Sequence, residues 1–442
     1  MITFFIWIII VVNILPKKIY KEGGSDIMRH YIAMGFQNTV DFELEWDPDI
    51  LHSLIDSYQI HESEICCDVQ IRSERDIIIA LLGYMRSGTG GERFTSSDSI
   101  VRSFADRFSY EITLGGTPVR AAESMGRLGY RCCLHACSFN RYFRDLVSPT
   151  VDWITSVPDE GDAFHPHVIF QFPKGAHIKG NDIDFTVPRS NRAIFDYDLP
   201  SKRLMINEDF RAMIKDAKVF LAAGYNVIED KEVLKRRLNT TIQIMEELSP
   251  ECITFYEDGG HEDISIGLLT IQTLAPHLDM LSLNEDELQG YVQHPVDITS
   301  AEEVAAAVKE MYEQAKVPLL ICHSAYWALA YGVQPRNVQE ALEGGIWMAS
   351  TRFRIGSRFT EQDYEDTKAI PARHSSIGFC RRLTSLLGEE RLLCLPGLDL
   401  NHVGRPVTIG LGDAFIGGFL PGLLSEEEKK YIRTDRSAGK YQ

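Results

Sequence analysis

A glycine-rich segment near the C-terminus carries the strongest chemical pattern in the chain. Residues 408–419 read TIGLGDAFIGGF, in which Gly410 and Gly412 precede Asp413 and an apolar helical run. Glycines permit tight turns, and the free N–H groups at a helix start stabilise an anion. A carboxylate beside such an anion hole can take the proton of an attacking hydroxyl during phosphoryl transfer. On spacing alone, an ordinary Asp cap after a glycine turn is the alternative, and it is favoured.

A second pattern follows a predicted buried strand, where residues 282–288 read SLNEDEL. Ligands of open α/β sheets gather outside the carboxyl ends of strands, and acids with an amide there can order Mg²⁺. The alternative is an acidic first helical turn, which the helix dipole favours. From the spacing alone this second interpretation is the stronger one.

Three other patterns are weaker indications of a catalytic or binding site. Residues 87–93 are glycine-rich but lack the Lys-Ser/Thr ending of a P-loop, so they predict a turn. Gly115 and Gly116 join a strand end to a helix start, which indicates either close packing or a hinge near a substrate. His261 and Glu262 do not form H-E-x-x-H, because position 265 is Ser265. A zinc protease site is therefore not predicted.

The elements that must position these groups follow an α/β pattern. The first predicted strand is 31–36, and from residue 217 onward short apolar runs alternate with amphipathic stretches. This is typical of parallel strands buried on both faces. The predicted strands there are 219–223, 253–256, 280–283 and 319–322, and the predicted helices are 230–248, 264–274 and 301–316.

A second group of predicted strands, 41–46, 67–71, 109–114 and 168–172, alternates polar and apolar residues. Such strands favour a smaller sheet with one wet face. We therefore expect a doubly wound, Rossmann-like α/β body with a smaller β-rich lid formed by insertions. The predicted body comprises 28–41, 72–108, 116–167 and 199–424, the lid comprises 42–71, 109–115 and 168–198, and 425–442 is expected to be a loose polar tail.

Composition narrows the class of ligand. The 442 residues include 45 Lys and Arg against 63 Asp and Glu, a formal charge of −18. This surplus disfavours nucleic acid and anionic membranes, so a small-molecule ligand is expected. The nine cysteines form neither C-x-x-C nor zinc-type spacing and predict reduced thiols of a cytoplasmic protein.

The N-terminus departs from this picture, because residues 1–15 have only Thr3 and Asn13 as polar residues. A helix of that length reaches about 22 Å, short of the ~30 Å hydrocarbon core. A secretory signal would carry positive charge before the apolar run, whereas here it follows. A weak membrane anchor and a signal segment remain alternatives, but an extension over 1–27 outside the fold is favoured.

Taken together, the motifs resemble the ADP-dependent glucokinase and phosphofructokinase family of the ribokinase-like superfamily. The resemblance runs from about residue 31 to residue 419, and the motifs are specific in combination and order. They are GFQNTVD at 35–41, the G-x-x-x-E-R-F stretch at 88–94, VPRSNRAI at 187–194, Asn284 and Glu287 of N-x-x-E, and Gly410, Gly412 and Asp413 of G-x-G-D.

The resemblance implies a sugar kinase of the kind found in glycolysis, with ADP as phosphoryl donor and a ribokinase-like fold. It implies Asp413 as general base, Gly410 and Gly412 in the anion hole, and a divalent metal, usually Mg²⁺. The implied metal residues are Glu257, Glu287 and Asp413. The implied nucleotide-binding residues are His323, Leu411 and Gly412. The implied sugar-binding residues are Asn38, Asp41, Gly115, Gly116, Gln171, Lys174 and Arg192.

The chain departs from the family pattern at three places. The H-x-E motif is replaced by Thr254 to Glu257, which leaves Glu257 as the acid without the histidine. Thr117 stands where the family has Asn. Gln171 stands where family glucokinases carry Glu, which puts fructose 6-phosphate slightly ahead of glucose, with Lys174, Lys179, Arg189 and Arg192 as candidate phosphate contacts. A kinase that uses ATP or another acceptor, and a silent ligand-binding homologue, are the alternatives.

Overall fold

The computed structural model describes residues 31–157, 164–261, 263–404 and 406–433. The possible anchor at 1–15 and the predicted extension at 1–27 lie outside these residues. Within these ranges, no helix is both long and apolar enough to cross a membrane.

The helices and strands alternate along most of the chain. The strands are β1 (Ile32–Gly35), β2 (Thr39–Leu44), β3 (Gly91–Phe94), β4 (Tyr110–Gly115), β5 (Cys132–Ala136), β6 (Val151–Thr155), β7 (Pro166–Phe172), β8 (His177–Gly180), β9 (Ile183–Thr186), β10 (Asn191–Asp196), β11 (Val219–Ala222), β12 (Ile253–Glu257), β13 (Met280–Asn284), β14 (Leu319–His323), β15 (Trp327–Gly332) and β16 (Leu392–Pro396). The helices are α1 (Pro48–Ser57), α2 (Glu74–Ser87), α3 (Asp98–Ala105), α4 (Thr117–Arg127), α5 (Arg141–Leu146), α6 (Leu199–Arg203), α7 (Asp209–Met213), α8 (Lys231–Glu247), α9 (Ile264–Leu274), α10 (Glu285–Val292), α11 (Ala301–Ala315), α12 (Gln339–Ile355), α13 (Glu361–Lys368), α14 (His374–Leu387), α15 (Leu411–Phe419) and α16 (Glu426–Ile432).

The larger sheet forms the centre of the body. Among the described residues it has nine strands in the order β16-β15-β14-β13-β12-β11-β1-β5-β6. The strands from β14 to β6 run parallel, and β15 is antiparallel to both of its neighbours. The predicted apolar strands at 219–223, 253–256, 280–283 and 319–322 lie side by side here. Because they are parallel, their carboxyl ends meet at one edge, where Asn284 pairs with His323.

The smaller sheet has the order β3-β10-β7-β2-β4 within the described part of the chain. The strand β3 pairs with β10, so segment 72–108, which we assigned to the body, contributes a strand to the smaller sheet. The predicted strand at 67–71 was wrong, since Ile71 forms only an isolated bridge with Thr95. The guanidinium of Arg93 instead donates to the backbone oxygens of Cys67 and Val69.

The predicted loose tail was wrong for its first part, where α16 forms. Ser425 caps the helix, because its hydroxyl accepts from Glu428 N while the Glu428 carboxylate accepts from Ser425 N. Ile432 is buried, and Lys429 bonds Glu340 of α12. The packing of one apolar side chain and one ion pair against the body thus orders a segment whose composition is polar. The remainder of the tail, 434–442, lies outside the described residues.

Candidate active site

The helix α15 presents an open N-terminus at the edge where the strands end. Gly410 precedes it with φ of 66°, a left-handed conformation that suits glycine. A Cβ at Gly410 would also lie 2.8 Å from Nη1 of Arg120. Farther along, Gly417 and Gly418 let α15 pack directly on backbone atoms of Ala121 in α4 and Gly344 in α12. Small residues therefore fix both the start and the axis of this helix.

Asp413 lies in the first turn of α15, and its side chain is held from two sides. Its Oδ1 accepts a hydrogen bond of 2.9 Å from Oγ1 of Thr117, and its Oδ2 lies 3.8 Å from Nε of Arg120. The side chain keeps 23% of its surface exposed. A carboxylate that is oriented yet reachable fits a group that takes a proton from a bound hydroxyl.

Arg120 of α4 is buried between β2 of the smaller sheet and the start of α15. Its Nη2 donates to Oδ2 of Asp41 at 2.7 Å and to Oε1 of Glu43 at 3.0 Å. Burial disfavours its charge, but the charges of Asp41, Glu43 and Asp413 hold the pKa of Arg120 above its usual value. Burial likewise opposes ionisation of Glu43, but Arg120 leaves the pKa of that carboxyl below its usual value. No motif in the sequence singles out Arg120.

A second buried arginine, Arg352 of α12, supports the segment before Gly410. Its Nε donates to the backbone oxygen of Ile409 at 2.7 Å. Burial and the charge of Arg120 lower the pKa of Arg352 to about 10. The two guanidinium groups thus lie beneath the glycine turn that precedes Asp413.

Four predicted sugar-binding residues come from two segments, the N-terminal motif with Asn38 and Asp41 and the β4–α4 turn with Gly115 and Gly116. Asn38 is fully buried and exchanges hydrogen bonds with the backbone and hydroxyl of Ser138. Its side chain therefore holds the segment before β2 against the segment after β5. Asp41 faces Gly115, where a Cβ would lie 2.1 Å from its Oδ2. Gly116 has φ of 88°, and a Cβ there would lie 2.7 Å from the backbone oxygen of Gln37. Both glycines are therefore needed for the close approach of the β4–α4 turn.

Gln171, Arg192 and Lys174 lie on the smaller sheet. Gln171 of β7 pairs directly with Arg192 of β10, so the two side chains share a face. The Oε1 of Gln171 accepts a hydrogen bond of 2.9 Å from Oγ1 of Thr408, two residues before Gly410. Lys174 follows β7 in an exposed turn. Gln171 thus connects the smaller sheet to the glycine segment.

Of the three acids predicted to bind metal, Glu257 ends β12 and Glu287 lies in the first turn of α10, directly after β13, whereas Asp413 lies on α15. Asn284 and Glu287 form a capping box, in which Asn284 N donates to Oε2 of Glu287 at 2.8 Å. Glu257 is buried, and within the described residues its Oε2 has no hydrogen-bond partner. Burial raises the pKa of Glu257, and burial with the charges of Asp258 and Glu257 raises the pKa of Glu287 well above its usual value.

These carboxylates form a donor set that fits a hard divalent cation. The unpartnered oxygen of Glu257 and the mutual repulsion of the acids would both be relieved by a bound cation. The adjacent Asp258 is already engaged, because it accepts hydrogen bonds from the hydroxyls of Tyr256 and Tyr291. Glu257, rather than Asp258, is therefore the available acid that ends β12.

His323 lies between the acids and the glycine segment. Its Nε2 is 3.4 Å from Oε1 of Glu257, and its ring stacks on Phe415 of α15 with a centroid distance of 4.3 Å. A Cβ on Gly412 would lie 3.5 Å from its Cε1. His323, Gly412 and the adjacent Leu411 are thus grouped at the start of α15, and their roles toward nucleotide stay predictions.

A second polar cluster, which was not predicted from the sequence, lies on the smaller sheet. His167 pairs with Asp41 across β7 and β2, and its Nδ1 lies 3.1 Å from Oε1 of Glu92. One ligand atom from each of Glu92, His167 and Asp196 lies within 4.8 Å of the others. Burial raises the pKa of Asp196 to about 7. Glu92 belongs to the quoted G-x-x-x-E-R-F motif, whereas His167 and Asp196 were hidden at the ends of apolar strands.

Comparison with known proteins shows the family of the chain. Residues 30–367 match the conserved region of ADP-specific phosphofructokinases and glucokinases. No curated protein sequence matches the chain significantly.

Solved structures share the architecture. A phosphofructokinase from Pyrococcus horikoshii OT3 with AMP is 16% identical with a TM-score of 0.68, over 89% of this chain and 98% of that one. An ADP-dependent kinase in complex with fructose 6-phosphate and ADPβS is 14% identical with a TM-score of 0.71, over 91% and 95%. The predicted α/β fold, with a large sheet and a smaller second sheet, is thereby confirmed. The chain belongs to the ADP-specific phosphofructokinase/glucokinase family and is a phosphotransferase that acts on an alcohol group.

Proposed function

We propose that this protein transfers a phosphoryl group from ADP to a hydroxyl of a sugar or sugar phosphate, with Asp413 as general base. The observation that carries the proposal is the position of Asp413. It lies at the open N-terminus of α15, is partly exposed, and is oriented by Thr117 and Arg120. Family membership supplies the donor class, and this geometry supplies the group that activates the acceptor.

The proposed reaction assigns a role to each of these groups. The carboxylate of Asp413 takes the proton of the acceptor hydroxyl, whose oxygen then bonds to the β-phosphorus of ADP as the bond to the bridging oxygen breaks. Backbone N–H groups from Gly410 to Asp413 would face the developing negative charge, whereas Ala414 N already donates to the backbone oxygen of Gly410 at 3.0 Å. Glu257 and Glu287 would hold Mg²⁺, which when bound neutralises charge on the phosphates.

The acceptor would bind against the face of the smaller sheet that carries Asp41. His167 is the direct neighbour of Asp41 on this sheet, and Glu92 and Asp196 lie beside His167. The two ring nitrogens of His167 are engaged by Glu92 and Asp198 at 3.1 and 3.0 Å, so the imidazole holds the cluster together. The carboxylate of Glu92, whose side chain is 30% exposed, is the member of the cluster that can accept from a sugar hydroxyl. Asp413 and Asp41 are joined through Arg120, so this face and the proposed base belong to one site.

Fructose 6-phosphate is proposed slightly ahead of glucose as acceptor. Gln171 adds no negative charge to its strand, and Arg192 lies directly opposite it with Lys174 in the following turn. Cationic side chains at this position suit a phosphate on the acceptor. In addition, a solved kinase with the same fold is a complex with fructose 6-phosphate and ADPβS.

A donor-by-acceptor panel tests the proposal. Purified protein is incubated with Mg²⁺, either ADP or ATP, and glucose, fructose or fructose 6-phosphate, and the phosphate ester is quantified. We expect ester with ADP, and Asp413→Asn should lower kcat by about 10²- to 10⁴-fold. The matched control is Asp230→Asn, which changes an exposed Asp at the start of α8. Ester formed only with ATP would support the alternative donor, and no ester in any combination would overturn the proposal.

The acceptor is tested separately with Arg192→Met. Removal of this cation should raise KM for fructose 6-phosphate at least tenfold while KM for fructose changes little. Equal KM changes for the two acceptors would contradict a phosphate contact at Arg192.

A further inference from the structure

We propose that Arg120 is a positioning residue for phosphoryl transfer, which fixes the acceptor-side Asp41 and the proposed base Asp413 relative to each other. This inference rests on the proposed function. Arg120 acts through these carboxylates, and Glu43 completes its neutralisation. Through these contacts, Arg120 aligns the acceptor hydroxyl with the carboxylate base.

The contacts of Arg120 join three separate elements. From α4, its Nη2 bonds Asp41 and Glu43 of β2 at 2.7 and 3.0 Å, and its Nε lies 3.8 Å from Oδ2 of Asp413 in α15. Its Nη1 also lies 2.8 Å from the position that a Cβ on Gly410 would occupy. One planar guanidinium therefore touches the acceptor-side strand and the turn before the base.

The first turn of α4 acts on Asp413 through two side chains. Thr117 and Arg120 are three residues apart, which places them on the same face of a helix. Thr117 contacts Oδ1 of Asp413, and Arg120 approaches Oδ2. The carboxylate of Asp413 is thereby restrained in both position and rotation by one rigid element.

The energetics favour a role beyond stability. The side chain of Arg120 is only 3% exposed, and those of Asp41 and Glu43 are 6% and 17% exposed. Desolvation of such groups consumes much of the attraction between them, and well-packed apolar residues often stabilise a protein equally well. A buried cation that spans the proposed base and the acceptor strand is better explained by the geometry that it imposes.

The test compares Arg120→Met with Arg120→Lys and the wild type. Kinetics gives kcat and KM for both substrates, calorimetry gives sugar affinity, and thermal unfolding gives stability. We expect Arg120→Met to lower kcat at least 30-fold and to weaken sugar binding several-fold, while KM for ADP stays within about twofold. Arg120→Lys keeps the charge but loses the planar fork, so it should recover part of kcat.

Two further variants distinguish a loss of kcat caused by lower stability from one caused by misplaced carboxylates. Lys429→Met removes another buried cation, which pairs with Glu426 and with Glu340 at the start of α12, whereas Arg352 near the proposed site lies toward the end of that helix. This change should lower the unfolding temperature without changing kcat. If Arg120→Met alone does not fold, the double variant Glu43→Gln/Arg120→Met removes one unpaired carboxylate, and Arg120→Lys gives the kinetic result.

The outcomes separate the two proposals. An active wild type with unchanged kcat and sugar affinity in folded Arg120→Met and Arg120→Lys would overturn the positioning role and leave the proposed function intact. A wild type that phosphorylates none of the acceptors would refute the proposed function. In that case, unchanged sugar affinity in Arg120→Met would overturn the positioning role, whereas weakened affinity would support its action on Asp41.

Discussion

Thr117 donates a hydrogen bond of 2.9 Å to Asp413, although 296 residues separate the two along the chain. Thr117 is the first residue of α4, directly after the Gly115-Gly116 turn, and Asp413 lies in the first turn of α15. Two helix starts therefore meet at the proposed catalytic group. Thr117 thus orients the proposed base.

The first prediction concerns this hydrogen bond. Thr117→Val keeps the shape of the side chain but removes the donor, so Asp413 is less restrained. We expect kcat to fall about tenfold, which corresponds to about 1.4 kcal/mol of lost transition-state stabilisation. KM for ADP should stay within twofold. Thr117→Ser, which retains the hydroxyl, is the control, and equal kcat values for the Val and Ser variants would contradict an orienting role.

The second prediction concerns the glycine turn. Gly410→Ala forces a Cβ onto a left-handed residue and to within 2.8 Å of Arg120. Because the turn must shift, we expect kcat to fall at least a hundredfold, measured in the same coupled assay. The matched control is Gly378→Ala in α14, where a Cβ meets nothing within 4 Å. That change should leave kcat unaltered and stabilise the helix by about 0.5–1 kcal/mol.

The third prediction concerns the acids that end β12 and β13. Glu257→Gln removes a charge that Mg²⁺ would neutralise, so the half-saturating Mg²⁺ concentration should rise at least tenfold. Mg²⁺ should also raise the unfolding temperature of the wild type more than that of the variant. Asp230→Asn changes an exposed acid at the start of α8, outside this acidic segment, and serves as control. Identical Mg²⁺ responses in wild type and Glu257→Gln would exclude Glu257 as a ligand.

Much of the fold follows from local sequence. The parallel strands β11 to β14 are continuous apolar runs, and burial on both faces requires that pattern. The glycine segment and the N-x-x-E motif are also local, because each needs only neighbouring residues to form its turn or cap. These segments were therefore predicted within one or two residues.

The rest depends on contacts between distant segments. Arg120 reads as an ordinary polar residue of an amphipathic helix, and its partners Asp41 and Glu43 lie 79 and 77 residues away. The cluster around His167 needs three strands in register before it exists. Likewise, the guanidinium of Arg93, on β3, bonds the backbone oxygens of Cys67 and Val69, where alternation predicted a strand.

The last prediction concerns His135, a fully buried residue of β5 whose Nε2 accepts a hydrogen bond of 2.9 Å from Asn207 N. Burial lowers the pKa of His135 to about 3. The imidazole pKa in the unfolded chain is about 6.5. Below that pH the unfolded chain therefore binds a proton at His135 that the folded protein does not bind. The stability that neutral His135 contributes is therefore fully present above about pH 6.5 and is lost as the pH falls toward 3.

Urea unfolding of wild type and His135→Gln at about pH 7.5 and about pH 5 measures this contribution. Between these two conditions the wild type should lose about 2 kcal/mol more than the variant, because Gln accepts the bond from Asn207 without titrating. The difference between the two proteins isolates His135 from every other titrating group. Parallel losses in both proteins would show that His135 is protonated equally in the folded and unfolded states.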